Sequence, residues 1–225
     1  MTGAYNHFHL PQAEIYAVRH AQSLGQVDRS AYLSPGDQLI PLTDLGHEQA
    51  DETGLILSQK FAAAAAEEGR PIVILHSTCK RATQTAEGIL KSFAGAQIAA
   101  DERLDKQKFG LFNGLFSTDE RRAADPEAYA RYELDLKNLG PFYTRPPQGE
   151  SISDVFDRTA SLLQEIKDKP AIYILVTHGL PYLCAQAYTD GHDENWILER
   201  EDTIKNCQIT NLTPQNESLT IKDFA

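Results

Sequence analysis

The stretch AIYILVTHG, residues 171–179, decides the fold. An unbroken apolar run from Ala171 to Val176 stops at Thr177-His178-Gly179. So short and continuous a run is the pattern of a parallel strand covered on both faces, because a strand with one wet face alternates. Two other stretches have the same form. EIYAV (14–18) is followed at once by Arg19-His20, and PIVIL (71–75) by His76-Ser77-Thr78. Gln97–Ala99 predicts a further strand. The alternating runs Gln208–Leu212 and Ser218–Ile221, separated by Thr213-Pro214-Gln215-Asn216, predict a C-terminal hairpin.

Helical patterns fill the spaces between these strands. In His47–Glu68, residues Ala50, Gly54, Leu57, Phe61 and Ala65 form one apolar stripe, with Thr43 as N-cap and Gly69 as stop. Lys80–Phe93 and Ser153–Lys167 repeat the pattern, and Leu180–Tyr188 carries Pro181 in its first turn. Strand–helix alternation predicts an α/β fold: a three-layer sandwich with a mostly parallel central sheet and helices on both faces. Residues 1–225 read as one domain. A long insert at about 102–150, with Pro141, Pro146 and Pro147, reads as a lid or substrate wall.

Composition narrows the function classes. The chain has 225 residues, 41% hydrophobic and 24% charged, which excludes a disordered chain and a membrane-spanning one. Its formal charge of −11 argues against nucleic acid and anionic membrane surfaces as partners. The start, MTGAYNHFHLPQ, lacks the basic and apolar regions of a signal peptide. Cys79, Cys184 and Cys207 are too scattered for a disulfide framework. The expectation is a cytoplasmic protein with reduced thiols. Oligomeric state is left open, a homodimer being one form the sequence allows.

Placing the basic residues on this scaffold suggests the chemistry. Arg19 and His20 follow one strand, and His178 follows another. His76 follows the third, with Arg81 in the first turn of the next helix. Ligands of open α/β sheets bind at the carboxyl ends of strands, and helix N-termini there add backbone N–H groups. So concentrated a positive site in an acidic chain calls for an anion, and arginine forks match phosphate best.

These residues carry a resemblance. YAVRHAQS (16–23) resembles the Arg-His-Gly motif of the histidine phosphatase superfamily, which includes the phosphoglycerate mutases. LTDLGHEQA (42–50), HSTCKRATQTA (76–86), FGLFNG (109–114), GES (149–151) and VTHG (176–179) are similar to that family's further motifs, in the same order. The resemblance implies a phosphoglycerate mutase-like fold and a metal-independent phosphomonoesterase, with no cofactor, acting on a small phosphorylated metabolite. It implies that His20 is the nucleophile and carries a phosphohistidine. Arg19, Arg81 and His178 would hold the phosphoryl oxygens, with Gln26 donating an amide hydrogen. No metal is implied, because side chains supply the positive charge.

The chain departs from the pattern in two places. Ala21 stands where the family has glycine, and Lys106 stands where it has its acidic proton donor. A leaving alkoxide needs a proton, and an unperturbed lysine, with a pKa of about 10.4, gives one up reluctantly. Asp105 is the expected acid, being adjacent to that position, with Glu102, Glu150 and Lys106 as alternatives. His76, Lys106, Arg145 and Glu150 are expected at the substrate rim, while Arg121 and Arg122 read most simply as a solvated helix face. Two other functions stay open. One is mutase-type phosphotransfer, although SLGQVDRSAYL (23–33) lacks the Trp-Asn extension of the mutases. The other is a non-catalytic phospholigand- or partner-binding domain that has lost its acid.

Overall fold

The structure, a computed structural model, describes residues 13–34, 36–201 and 203–213, leaving out the side chains of 62–68. Five strands are present among the described residues: β1 (Glu14–Arg19), β2 (Ile72–His76), β3 (Gln97–Ala100), β4 (Ile172–Thr177) and β5 (Ile209–Asn211). They lie side by side in the order β3-β2-β4-β1-β5. The first four are mutually parallel, and β5 runs antiparallel beside β1. Of the expected C-terminal hairpin, the first run becomes β5, paired with β1. The second, Ser218–Ile221, lies outside the described residues.

Strand β4 explains its own composition. It is paired on both edges, and all six of its residues are buried. Its alternate side chains enter two separate cores. Ile172, Ile174 and Val176 pack with Tyr16, Val18, Leu57, Phe61, Ala82, Ala86 and Ile89, while Tyr173 and Leu175 pack with Val155, Leu162, Leu163, Tyr182 and Leu183. The period of two along a strand sends neighbouring residues to opposite faces.

The helices supplying those cores are α2 (Asp44–Glu68) and α3 (Lys80–Leu90) on one face, and α6 (Ile152–Ile166) and α7 (Gly179–Asp190) on the other. Thr43 caps α2 by accepting from the Gly46 amide at 3.0 Å, and Gly69 ends it in the left-handed region at φ 63°. Helix α3 stops short of the predicted Phe93, because Lys91, Ser92 and Phe93 each bond to the carbonyl three residues back. The remaining helices are α1 (Leu24–Val27), α4 (Thr118–Ala124), α5 (Pro126–Leu139) and α8 (Glu194–Leu198). Helix α5 is not predicted by the apolar pattern. It buries only Tyr129, so its stripe is too thin to read, although Asp125 and Pro126 form an ordinary helix start. No helix among the described residues is long and apolar enough to cross a membrane.

One glycine positions the start of α2 against the chain leaving β1. A Cβ on Gly46 would lie 2.1 Å from the Gln22 carbonyl oxygen, a backbone atom that cannot swing aside. The contact holds the segment just after His20, together with the bond from the Thr43 amide to the same oxygen at 3.0 Å. Gly46→Ala should therefore destabilise the fold by about 1–3 kcal/mol. Urea unfolding would measure this, and an unchanged midpoint would show that the loop yields freely.

Candidate active site

The ends of three strands are tied together through β4. The His20 amide donates to the Thr177 carbonyl at 2.9 Å, and the Ser77 amide donates to the Val176 carbonyl at 3.0 Å. The His20 and His178 rings consequently meet, with centroids 5.0 Å apart and planes at 62°. Both residues are buried.

The hydrogen bonds assign their protons. His20 Nδ1 lies 2.7 Å from the Ala21 carbonyl oxygen, which can only accept. Nδ1 therefore carries the hydrogen, and Nε2 keeps its lone pair. Nε2 takes part in no hydrogen bond among the described residues. Burial, then the Arg81 charge, followed by those of Arg19 and Lys106, pushes the His20 pKa down to about 3, against a raising contribution from the Ala21 carbonyl. His20 is thus neutral at any ordinary pH, the form that a nucleophile needs.

His178 is held by a chain of partners. Its Nε2 lies 2.8 Å from Ser77 Oγ, and Ser77 Oγ donates to Asp105 Oδ1 at 2.7 Å. The single hydroxyl proton is spent on the carboxylate, so His178 Nε2 must be the donor to Ser77. Its Nδ1 is buried with no hydrogen-bond partner among the described residues. Burial, Arg81, His20, Lys106 and Arg19 together hold the His178 pKa well below its ordinary value. The same three cations depress both imidazoles, which locates them around one point.

Arg81, on the first turn of α3, is buried and reaches Asp37. Nη1 donates to the Asp37 carbonyl at 2.7 Å, and Nη2 is 3.1 Å from Asp37 Oδ1. Lys106 Nζ is 2.6 Å from Asp37 Oδ2. It also lies 5.3 Å from the centre of the Tyr32 ring and 5.4 Å from that of Phe109. Arg19 donates to the Ile204 carbonyl. The segment carrying that carbonyl is stitched to β1 by the Cys207 amide, which bonds the Arg19 carbonyl at 3.0 Å.

Asp105 has a different position from that expected of a proton donor. Its carboxylate is buried and accepts from Ser77 Oγ, from the Thr78 amide at 2.7 Å and from Thr78 Oγ1. With its lone pairs facing N–H and O–H donors, it is a fixed acceptor that supports Ser77, and through it His178. Glu150 is also occupied, pairing with Arg158 at 3.1 Å and accepting from the Lys108 amide at 3.0 Å. Arg145 forms a forked pair with Asp154 at the start of α6 and not a rim contact. His76 bonds the Ser77 carbonyl at 2.8 Å and lies 3.4 Å from Thr83 Oγ1, beside α3. Gln26 spends its amide on Asn206 and on the Ser23 amide, capping α1. Arg121 and Arg122 lie over Phe112 and Tyr129.

Three residues of the site are missed by sequence reasoning. Ser77 and Asp37 bind His178 and Arg81, and Asn206 donates to the His20 carbonyl at 2.8 Å. Ser77 is inside a recognised motif and could have been singled out. Asp37 and Asn206 carry no signal, since neither lies within a recognised motif.

The sequence profile of the histidine phosphatase superfamily, branch 1, matches residues 15–225. The chain belongs to that superfamily. The phosphoglycerate mutase-like protein AT74H of Arabidopsis thaliana is 31% identical over 159 residues, covering 68% of this chain and 52% of the relative. The chain thus spans about half the length of that relative and of a second from the same plant, AT74, also covered over 52%. The probable phosphoglycerate mutase GpmB of Escherichia coli is 29% identical over 210 residues, covering 92% of this chain and 86% of the relative. Among solved structures, Bacillus stearothermophilus YhfR matches at a TM-score of 0.62 and 26% identity, covering 86% of each chain. A mycobacterial glucosyl-3-phosphoglycerate phosphatase, described as a complex with VO3, matches at 0.61 and 22% identity, covering 88% and 90%, a likeness of fold.

The proton assignments are open to direct measurement. In 15N spectra at pH 5.5, His20 should remain neutral with its proton on Nδ1, and His178 neutral with its proton on Nε2. Because both folded pKa values lie below that of an unfolded histidine, the unfolded chain takes up protons first as pH falls through about 6.5. Their contribution to stability is complete above that pH and is lost progressively below it. Titration of His20 near 6.5 in the folded protein would refute the assignment.

Proposed function

We propose that the protein is a metal-independent phosphomonoesterase that passes the phosphoryl group through His20. One observation carries this reading: His20 presents an unprotonated Nε2, held by the Nδ1 bond to Ala21, within the field of Arg81, Arg19 and Lys106. In this reading Nε2 attacks phosphorus, the bond from phosphorus to the ester oxygen breaks, and the departing oxygen takes a proton from water. Water then attacks the phosphohistidine, releasing inorganic phosphate and restoring neutral His20. The arginines and His178 neutralise charge on the transferred group. An oxygen bound at His178 Nδ1 meets an atom that lacks a partner, and the approaching negative charge favours protonation there.

The candidate acids in the insert bear on substrate preference. Asp105 and Glu150 are engaged elsewhere. Lys106 offers the departing oxygen a positive charge in place of a carboxylic acid. Leaving groups that need little protonation, such as aryl oxides, are therefore the best substrates. The insert at 102–150, which carries Lys106 and Phe109, forms the wall against which the leaving group rests. A mutase reading has the names of the relatives in its favour and differs only in the acceptor, a second hydroxyl in place of water.

Turnover of an aryl phosphate should survive EDTA, and His20→Ala should lower it by at least about 10³-fold. Rapid quenching with labelled substrate should give an acid-labile, base-stable phosphoenzyme. Label on serine or aspartate, or activity restored only by a divalent ion, would overturn the proposal. Label recovered on an added sugar acid and not in free phosphate would favour the mutase.

A further inference from the structure

Asp37 stands where an anionic ligand belongs. Its carboxylate oxygens divide between two cations, Oδ1 at 3.1 Å from Arg81 and Oδ2 at 2.6 Å from Lys106. The three groups are sheltered, with side-chain exposures of 14% for Asp37, 3% for Arg81 and 28% for Lys106. One carboxylate therefore spans both cations, and a tetrahedral oxyanion of similar size can do the same. Yet the fit is incomplete. Oδ1 is buried and has no aligned hydrogen bond, only the ion contact with Arg81. A buried acceptor left short of a donor is held weakly for its depth.

The segment bearing Asp37 is fastened by few contacts. Between the buried Ala31 and Ile40, Leu33 and Leu39 are 79% and 55% exposed. Gly36 adopts φ +95° with open space around it. Beyond Asp37 itself, Gln38 ties the segment to the β2–α3 turn, donating to Thr78 Oγ1 at 2.8 Å and accepting from Cys79 Sγ at 3.3 Å. No large apolar side chain described between 33 and 39 is buried, so lifting this stretch exposes little new apolar surface.

We propose that Asp37 is a tethered competitor for the phosphoryl group, and that Arg81 and Lys106 form a single anion subsite that selects dianionic monoesters over singly charged diesters. The proposal rests on the reading of this pocket as a phosphoryl site. A carboxylate on a short tether acts at an effective concentration in the millimolar range or above. A diester brings no more charge than the group it must displace, whereas a monoester dianion brings about twice as much. Lys106 thereby acts on the same anion as Arg81, not on a distant second group.

The test is direct binding of inorganic phosphate and of dimethyl phosphate by calorimetry, which needs no turnover, alongside aryl phosphatase assays. Asp37→Asn should bind phosphate about ten-fold more tightly, since the apparent affinity of the native chain is reduced by the open fraction. Its affinity for the diester should rise by no more than that factor, because the same open fraction limits both ligands. Gln38→Ala, which loosens the segment without touching its charge, should tighten phosphate binding in the same direction. Lys106→Met should weaken it, and Asp37→Asn should gain less in that background, because one of the contested cations is gone. Thermal melts establish that each variant is folded. Unchanged or weaker phosphate binding in folded Asp37→Asn and Gln38→Ala overturns the proposal. Tighter binding without any hydrolysis by the native chain sustains the competitor and removes the phosphatase instead. No phosphate binding in any variant removes both.

Discussion

Two backbone hydrogen bonds at the end of β4 hold the site together. Thr177 accepts from the His20 amide and Val176 from the Ser77 amide, so the chains leaving β1 and β2 are clipped to the same central strand. Parallel pairing on both edges of β4 aligns these exits. Burial of its side chains, those of Ile172–Val176 in two cores, prevents them from shifting. The distance between the imidazoles is therefore a property of the sheet, not of the loops.

Electrostatics follow from that placement. Arginines and a lysine gather around two buried histidines in a chain of net charge −11. Burial and like charge act in the same direction on an imidazole, so both rings stay neutral. A neutral imidazole then sits inside a positive field without cancelling it. The acidic surplus lies partly within reach of this field, and Asp37 is the carboxylate that enters it.

Three carboxylates in and around this site have separate tasks, decided by what surrounds them. Asp105 faces hydroxyl and amide donors and anchors Ser77 beneath His178. Glu150 faces Arg158 and the Lys108 amide and braces the insert. Asp37 faces two side-chain cations. Hydrogen-bond donors with fixed backbone positions hold a carboxylate in place, whereas side-chain cations can exchange it for another anion.

Strand identity, sheet direction and the convergence of Arg19, His20, Arg81 and His178 at strand ends were legible in the chain, because unbroken apolar runs and residue order report topology directly. The sequence alone also determined family membership, through motifs spaced along β1, α2, α3 and β4. Side-chain roles in the insert were not legible. Asp105 and Lys106 are neighbours in sequence, yet one points to Ser77 and the other to Asp37, since adjacent residues in extended chain face opposite ways. Only the tertiary structure brought Asp37 to Arg81 and Asn206 to His20, across separations of 44 and 186 residues. Contacts that distant depend on how loops close over a sheet, and no local pattern of hydrophobicity or turn chemistry encodes them.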